Sequence, residues 1–376
     1  MLRTIAVGWT GHAGPVDFDP CPSVDAIDAR WMTRALGGLA GGESVTAVDA
    51  HPLGTGQVGE NVRFSLTWSE DRGDLPATVV GKFPSRSETS LAAAAATDTY
   101  VKEVGFYRDL QTRVAVRTPV VHHLGDDVAN LRFVLLMEDI TPASQGDQLA
   151  GADVAHAELA VAAAADLHGS TWGLSGELAE LEWLDAPSEQ RVRDLSALYR
   201  MLSPGFVERY REDLDADDLD LAPWLADRFE SWLTAIDAST PESCLVHNDF
   251  RLDNLLFGTG DDAPPITVVD WQTVGIGSGP VDVAYYLGAG LLPAERAVHE
   301  HRLVATYAAH LGRHGVTVTV DDVMPAYRLG SASGYVMAVI ASQLVVRTER
   351  GDQMFVAMAS RHADQMRTLD LAGLIG

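Results

Sequence analysis

The stretch "VHNDFRLDNLLF", residues 246–257, carries His247, Asp249 and Asn254 in the spacing H-x-D-x-x-x-x-N. These residue types suit transfer of a phosphoryl group to a hydroxyl. A carboxylate accepts or orients the hydroxyl proton, and an amide oxygen further along reaches a magnesium ion, a hard cation that takes oxygen ligands. Asp249 suits the first task and Asn254 the second. Arg251 follows Asp249 by two positions, where a guanidinium would neutralise charge on the transferring group. His247 reads as a brace for the loop, and Asp253 as a local hydrogen-bonding residue.

A second acid follows. "LLF" and "ITVVD" read as strands joined by the turn-rich "GTGDDAPP". Pairing Leu255 with Val269 would set Asn254 opposite Asp270, with Cβ atoms about 4.5–5.5 Å apart. Both would then ligate one magnesium ion. Asp282, in "GSGPVDVAYYL", lies at an expected helix start. An acid there suits the helix dipole, and it equally suits holding the loop through backbone N–H groups.

Upstream, "GTGQVG" puts Gly54, Gly56 and Gly59 in the pattern G-x-G-x-x-G. In a dinucleotide fold that pattern opens a helix. Here "ENVRFSLTW" follows and alternates as a strand. Strand, glycine loop and strand is the order that lays backbone N–H groups over nucleotide phosphates, although an ordinary tight hairpin has the same signature. Lys82 lies near the end of "PATVVGKF", which has neither the first glycine nor the hydroxyl of a Walker A loop and reads as a strand. Glu103, in "YVKEVGFY" on the next helix, is its expected partner, with Glu88 in reserve. Together they would hold an ammonium at the α- and β-phosphates. Taken singly, each of these charges also reads as a solvated surface residue.

The elements that must position these residues change character along the chain. Residues 40–140 read β, β, β, α, β, β, with "ETSLAAAAATDTYVKEVGFYRDL" as one long helix. A short helix with Ser23 as N-cap precedes them. From about residue 141 amphipathic helices dominate, beginning with one capped by Asp153. The expectation is an α+β chain. Residues 1–140 would form a small β-rich nucleotide-binding lobe and residues 141–376 a larger helical lobe, with the ligand between them.

Composition narrows the classes. The chain has 376 residues, 47% of them hydrophobic, which marks a folded protein long enough for two lobes. Cys21 and Cys244 supply neither a disulfide framework nor a CxxC metal pair. The first residues lack the apolar core of a secretory leader, and no apolar run approaches the roughly 18 residues of a spanning helix. A cytoplasmic protein is expected. A formal net charge of −26 disfavours nucleic acid and anionic membranes. The acidity serves solubility and weakly favours a cationic ligand.

"HNDFRLDNLLF", "VVDWQ" and "VDVAYYL", with support from "EVGFY", "FVLLMEDI" and "DLHGSTW", resemble the kinase-like small-molecule phosphotransferases. That group includes aminoglycoside phosphotransferases, choline kinases and ecdysteroid-kinase-like proteins. The resemblance runs from about residue 54 to residue 287. D-W-Q in place of D-F-G looks most like the ecdysteroid-kinase-like branch, and Asn248 stands where the family usually has glycine. The resemblance implies a bilobal protein-kinase-like fold with ATP and Mg2+ in the cleft. The γ-phosphate would pass to a hydroxyl of a small-molecule acceptor, such as an aminoglycoside, an amino alcohol or a sterol-like molecule. Backbone around Met137 and Glu138 would meet the adenine. Trp271, Tyr285 and Tyr286, with residues near 325–347, would line the acceptor pocket. Only 11 residues separate Asp270 from Asp282 and no A-P-E follows, which leaves no room for a peptide-docking activation segment. Two other readings remain: a nucleotide-binding pseudokinase without an acceptor, and a dinucleotide-dependent oxidoreductase that rests on the glycine pattern alone.

Overall fold

The computed structural model describes residues 18–54, 59–70 and 72–376. Strands β1 (Val45–Pro52), β2 (Gly59–Trp68), β3 (Thr78–Pro84), β4 (Val121–Asp127) and β5 (Arg132–Glu138) form one antiparallel sheet in the order β1-β2-β3-β5-β4. Alternation along β5 sorts its side chains between two cores. Val134 and Leu136 join Val62, Phe64, Val79 and Phe83 beneath Trp31 and Met32 of helix α1 (Ala29–Ala35). Phe133, Leu135 and Met137 face the other way, into the main core.

Two helix boundaries differ from expectation. Ser23 precedes only a three-residue 3-10 turn, Val24–Ala26, and its side chain caps nothing. Asp28 caps α1 instead, accepting the Trp31 N–H at 2.7 Å. The long alanine-rich helix is two helices, α2 (Glu88–Ala96) and α3 (Thr99–Gly105), separated at Asp98 in the left-handed region (φ 53°). A π-type turn, Phe106–Leu110, follows. Packing accounts for the break. Of the nine residues of α2 only Ser90 and Ala94 are buried, whereas five of the seven in α3 are, Glu103 among them. Alanine propensity cannot choose the axis of a helix, and the face that must be buried does.

The remaining longer helices are α4 (Val154–Gly169), α5 (Glu189–Tyr210), α6 (Phe229–Ser239), α7 (Gly279–Gly290), α8 (Pro293–Leu311), α9 (Val320–Leu329), α10 (Ser333–Leu344) and α11 (Glu349–Thr368). Asp153 caps α4 as expected, accepting the His156 N–H at 2.8 Å. Eleven of the twelve residues of α7 are buried, so this helix is the axis of the helical part. Two small sheets lie among the helices. Strands β6 (Ala143–Gln145), β8 (Leu255–Gly258) and β9 (Ile266–Val268) form one, and β7 (Cys244–Val246) pairs with β10 (Gly275–Gly277) in the other. They hold both ends of the segments around Asp249 and Asp270. Among the described residues no helix is long and apolar enough to cross a membrane.

The sheet and the helices share one hydrophobic core. It runs from Phe106, Tyr107 and Leu135 to Val161, Trp271 and Tyr286. Phe106 and Trp271 stack with ring centroids 3.7 Å apart and planes 3° from parallel. Trp271, Tyr285 and Tyr286 are all buried, which corrects their expected place lining an acceptor pocket. A bulky ring stacked this closely cannot be removed without leaving a cavity. Phe106→Ala should therefore cost about 3–5 kcal/mol of stability, read as a lower midpoint in urea or thermal unfolding.

His362 on α11 is fully buried, its Nδ1 bonded to the Ser331 carbonyl at 2.8 Å. Burial pulls its pKa from the ordinary 6.5 down to about 4. The folded protein therefore keeps His362 neutral in a range where the unfolded chain takes up a proton. The stability this neutral form contributes is complete above pH 6.5 and is lost as pH falls towards 4, at about 1.4 kcal/mol per pH unit. Denaturant titrations at pH 7, 6 and 5 should show that slope, and His362→Gln should flatten it.

Candidate active site

β7 delivers the chain into a loop that α7 grips from its first turn. The Asp282 carboxylate accepts the His247 N–H at 2.6 Å and the Asn248 N–H at 3.0 Å. Its Oδ2 also meets Nε2 of the buried His168 at 3.3 Å, and Tyr307 holds the other nitrogen of that ring at 3.0 Å. Asn248 adopts φ 62°. The left-handed region explains why glycine suits this position, and asparagine is among the few other residues that enter it readily. Its side chain adds a bond to the Thr273 carbonyl at 2.9 Å. His247 donates from Nε2 to the Val269 carbonyl at 3.1 Å and accepts the Asp249 N–H on Nδ1 at 3.3 Å. Both ring nitrogens are thus engaged with backbone.

Asp249 is 7% exposed and holds three donors. Tyr285 Oη donates to its Oδ1 at 2.7 Å and Asn254 Nδ2 to its Oδ2 at 2.9 Å. Arg251 Nε lies 3.1 and 3.2 Å from the two oxygens. Arg251 also donates from Nη1 to Asp253 Oδ2 at 2.5 Å, and Asp253 Oδ1 accepts the Gln148 N–H at 3.1 Å. The guanidinium is therefore pinned between two carboxylates. Asn254 directs both amide protons at Asp249, to Oδ2 and to the main-chain carbonyl at 2.8 Å. Its amide oxygen accepts no hydrogen bond among the described residues.

The hairpin register is one residue off the expected pairing. Leu255 pairs with Val268, and the Val269 N–H donates to the Asn254 carbonyl at 3.0 Å. Asn254 therefore faces Val269 and not Asp270. Asp270 has already left the strand in a left-handed conformation, φ 70°, which costs a non-glycine residue of order 1–3 kcal/mol unless its surroundings hold it. They do: Lys82 Nζ meets its Oδ1 at 2.9 Å and Gln272 donates to its Oδ2 at 3.3 Å. Lys82 Nζ also meets Glu103 Oε1 at 2.6 Å. One ammonium thus joins β3, α3 and the segment after β9.

Burial opposes the charge on Lys82, but Asp270 and Glu103 outweigh it and raise its pKa above the ordinary lysine value. Glu103, 1% exposed, bears the larger desolvation, and burial pushes its carboxyl up to about 7 against the pull of Lys82. Burial acts on Asp270 in the same sense, yet Lys82 overcomes it and the carboxyl stays below the usual range. The two acids sharing Lys82 are thus unequal: burial raises the carboxyl of Glu103, and Lys82 lowers that of Asp270.

The residues expected on the nucleotide side lie along the five-stranded sheet and its turns. Gly54 has φ 63°, a conformation that favours glycine. A Cβ on Gly59 would lie 3.1 Å from the Phe83 carbonyl and 3.4 Å from Lys82 Cε, so the backbone entering β2 passes close beside Lys82. Gly56 lies outside the described residues. Met137 sits at the end of β5 opposite Val80 and Val121. The Glu138 N–H donates to the Val120 carbonyl at 2.8 Å, and its carboxylate pairs with Arg117 at 2.6 Å. That N–H is thus committed to the main chain before β4. Glu88, the reserve partner, opens α2 and makes no bond to Lys82.

Three positioning residues were not assigned these contacts from sequence. They are Gln148, whose side chain accepts the Leu252 N–H at 3.3 Å, and His168 and Tyr285. His168 and Tyr285 lie in quoted motifs, but no local pattern links them to a loop 36 or more residues away. Asn254 Oδ1 and the Asp270 carboxylate are hard oxygen donors. Two such donors suit Mg2+, which is commonly held by one or two protein oxygens, water and substrate phosphates. ATP and Mg2+ are thus compatible with the donor set.

An antiparallel five-stranded sheet over a helical part, with a lysine–glutamate pair and an acid from a second segment, defines a kinase-like phosphotransferase. The chain belongs to the phosphotransferase enzyme family, whose model matches residues 60–329. Among solved structures it resembles the GDP complex of aminoglycoside 2'-phosphotransferase-IIIa, at 17% identity over 91% of this chain and all of that one, with a TM-score of 0.53. Choline kinase from Cryptosporidium parvum matches at 10% identity over 87% of this chain and 91% of that one, TM-score 0.55. Plasmodium vivax ethanolamine kinase matches at 11% over 86% and 83%, TM-score 0.53. These likenesses show the fold. A curated relative, a probable acyl-CoA dehydrogenase IBR3 of Arabidopsis thaliana, is 39% identical over 61 residues, which are 16% of this chain and 7% of that protein. The match therefore spans less than a tenth of that relative's length.

Removing the ammonium would leave Glu103 and Asp270 without a counter-charge. Lys82→Ala should destabilise the protein by about 3–5 kcal/mol, as breaking one side of a buried ion pair does. It should also weaken nucleotide binding. A melting curve and a fluorescent-nucleotide titration measure the two effects.

Proposed function

We propose that this chain is a Mg2+- and ATP-dependent O-phosphotransferase that phosphorylates a hydroxyl of a small molecule. The observation that carries the reading is the placement of Lys82 on Asp270, residues 188 apart in sequence and 2.9 Å apart in space, together with the Asp249–Asn254 contact in one loop. A nucleotide needs an ammonium for its phosphates and oxygen donors for its metal, and an acceptor needs a fixed carboxylate. This arrangement supplies all three from separate segments.

In this reading Lys82, kept cationic by its two acids, meets the α- and β-phosphates, and Gly54, Gly56 and Gly59 cover them. Asn254 and Asp270 would hold Mg2+, which when bound screens the phosphate charge and favours departure of the diphosphate. Asp249 accepts or orients the proton of the acceptor hydroxyl. Arg251, beside Asp249, supplies positive charge at the acceptor side. His247 and Asp282 brace the loop. The acidic surface, with its net charge of −26, disfavours nucleic acid and membrane partners and fits a cytoplasmic enzyme. No residue pair narrows the acceptor beyond a hydroxylated small molecule, so a screen must define it.

The test is nucleotide consumption, with ATP and GTP in parallel, over amino alcohols, aminoglycosides, macrolides, sugars and sterols. With an accepted substrate, Asp249→Asn should lower kcat by at least about 100-fold while nucleotide binding persists. A variant with parental turnover removes Asp249 from the chemistry. Nucleotide binding without transfer to any acceptor would instead mark a pseudokinase or regulator.

A further inference from the structure

Asp249 and the backbone of its own loop are held by the same face of one helix. Asp282 and Tyr285 are three residues apart on α7, which places them one turn apart on a shared face. Asp282 takes the N–H groups of His247 and Asn248. Tyr285 Oη reaches the very next residue, donating to Asp249 Oδ1 at 2.7 Å. The Tyr285 side chain is 1% exposed and sits in the core with Tyr335, Ala338 and Phe355. Its hydroxyl therefore arrives from a fixed direction.

We propose that Tyr285 is a positioning residue for the phosphotransfer reaction: its buried phenol fixes the rotation of the Asp249 carboxylate and so sets which oxygen meets the acceptor hydroxyl. The inference rests on the reading of Asp249 as the group that receives or orients the acceptor proton. The terminal torsion of an aspartate is broad and only weakly staggered, so the carboxylate needs outside contacts to select one orientation. Asn254 fixes Oδ2 and Tyr285 fixes Oδ1. Arg251 Nε lies 3.1 and 3.2 Å from the two oxygens and bridges them.

A merely structural role for the phenol fits less well. Tyr286, in the main core, and the buried Tyr199 have hydroxyls with no partner among the described residues, so a buried phenol in this protein need not be bonded. Burial, reinforced by Asp249, keeps the Tyr285 hydroxyl protonated well above the ordinary tyrosine range. It therefore remains a donor at any working pH.

The experiment compares the parent protein, Tyr285→Phe, Asp249→Asn and the double variant, with Tyr286→Phe as control. The substrate is Mg-ATP or Mg-GTP with water as acceptor, read as release of inorganic phosphate. Crystal structures of the parent and Tyr285→Phe give a second readout. The expected result is a fall in kcat of about 10- to 100-fold in Tyr285→Phe, the worth of one hydrogen bond to a charged group. KM for the nucleotide and the melting midpoint should stay near parental values. Tyr286→Phe should be unaffected, and adding Tyr285→Phe to Asp249→Asn should change little. The Asp249 carboxylate should occupy one orientation in the parent and more than one in Tyr285→Phe. Parental kcat in Tyr285→Phe, alongside an impaired Asp249→Asn, overturns the inference and leaves the reading of Asp249 standing. An equal loss in both backgrounds overturns it as well. A fully active Asp249→Asn overturns the underlying reading and the inference with it. Where the parent releases no phosphate to water, the crystal structures decide, and an Asp249 carboxylate with the same single orientation in Tyr285→Phe overturns the inference.

Discussion

The ammonium of Lys82 is the point on which the site depends. It is reached by a strand, a helix and a loop that have no other reason to converge there. A buried lysine and a buried glutamate in contact with a half-buried aspartate are costly to desolvate, and such a group persists only where geometry is good and the charges offset one another. Here one cation serves two acids, and the imbalance falls on Glu103, the more deeply buried of the two. Asp270 keeps its unfavourable backbone conformation because Lys82 and Gln272 hold its carboxylate. The break in the alanine-rich helix and the stacking of Phe106 on Trp271 serve the same end. The first sets α3 so that Glu103 is buried, and the second ties the turn after α3 to the residue that follows Asp270.

A second constraint acts on the other acid. Helix α7 is nearly all buried and cannot shift without moving the core. From that rigid element Asp282 fixes the backbone before Asp249 and Tyr285 fixes its side chain. His168 and Tyr307 extend the same chain of bonds into α4 and α8. A carboxylate on a loop is thereby held as firmly as one on a helix, which is what a reaction that depends on sub-ångström placement requires.

Much of this was legible in the residues. The spacing of His247, Asp249 and Asn254, the lysine near the end of a strand and the glutamate on the next helix are local patterns, and local chemistry wrote them. The five-stranded order of elements was legible for the same reason, since alternation and capping act over a few residues. The errors were also physical. Leu255 pairs with Val268 because Asp270 turns out of the strand, and the pull on Asp270 comes from Lys82, far away in sequence. Trp271 and Tyr286 looked like pocket aromatics beside the motif, but only the packed core shows which aromatic faces a ligand and which faces Phe106 or Phe250.

The sequence by itself determined the inventory: which groups can bind a proton, a phosphate or a cation, and the periodicity of the elements that carry them. Those properties depend on residue type and near neighbours. Only the tertiary structure decided the partners. It put Lys82 between two acids, turned Asn254 so that its oxygen is free, pinned Arg251 between Asp249 and Asp253, and brought Tyr285 to the carboxylate. Each of these rests on a contact whose geometry or energy is set by burial and by distant chain segments, which fold around one core and are not encoded in any single stretch.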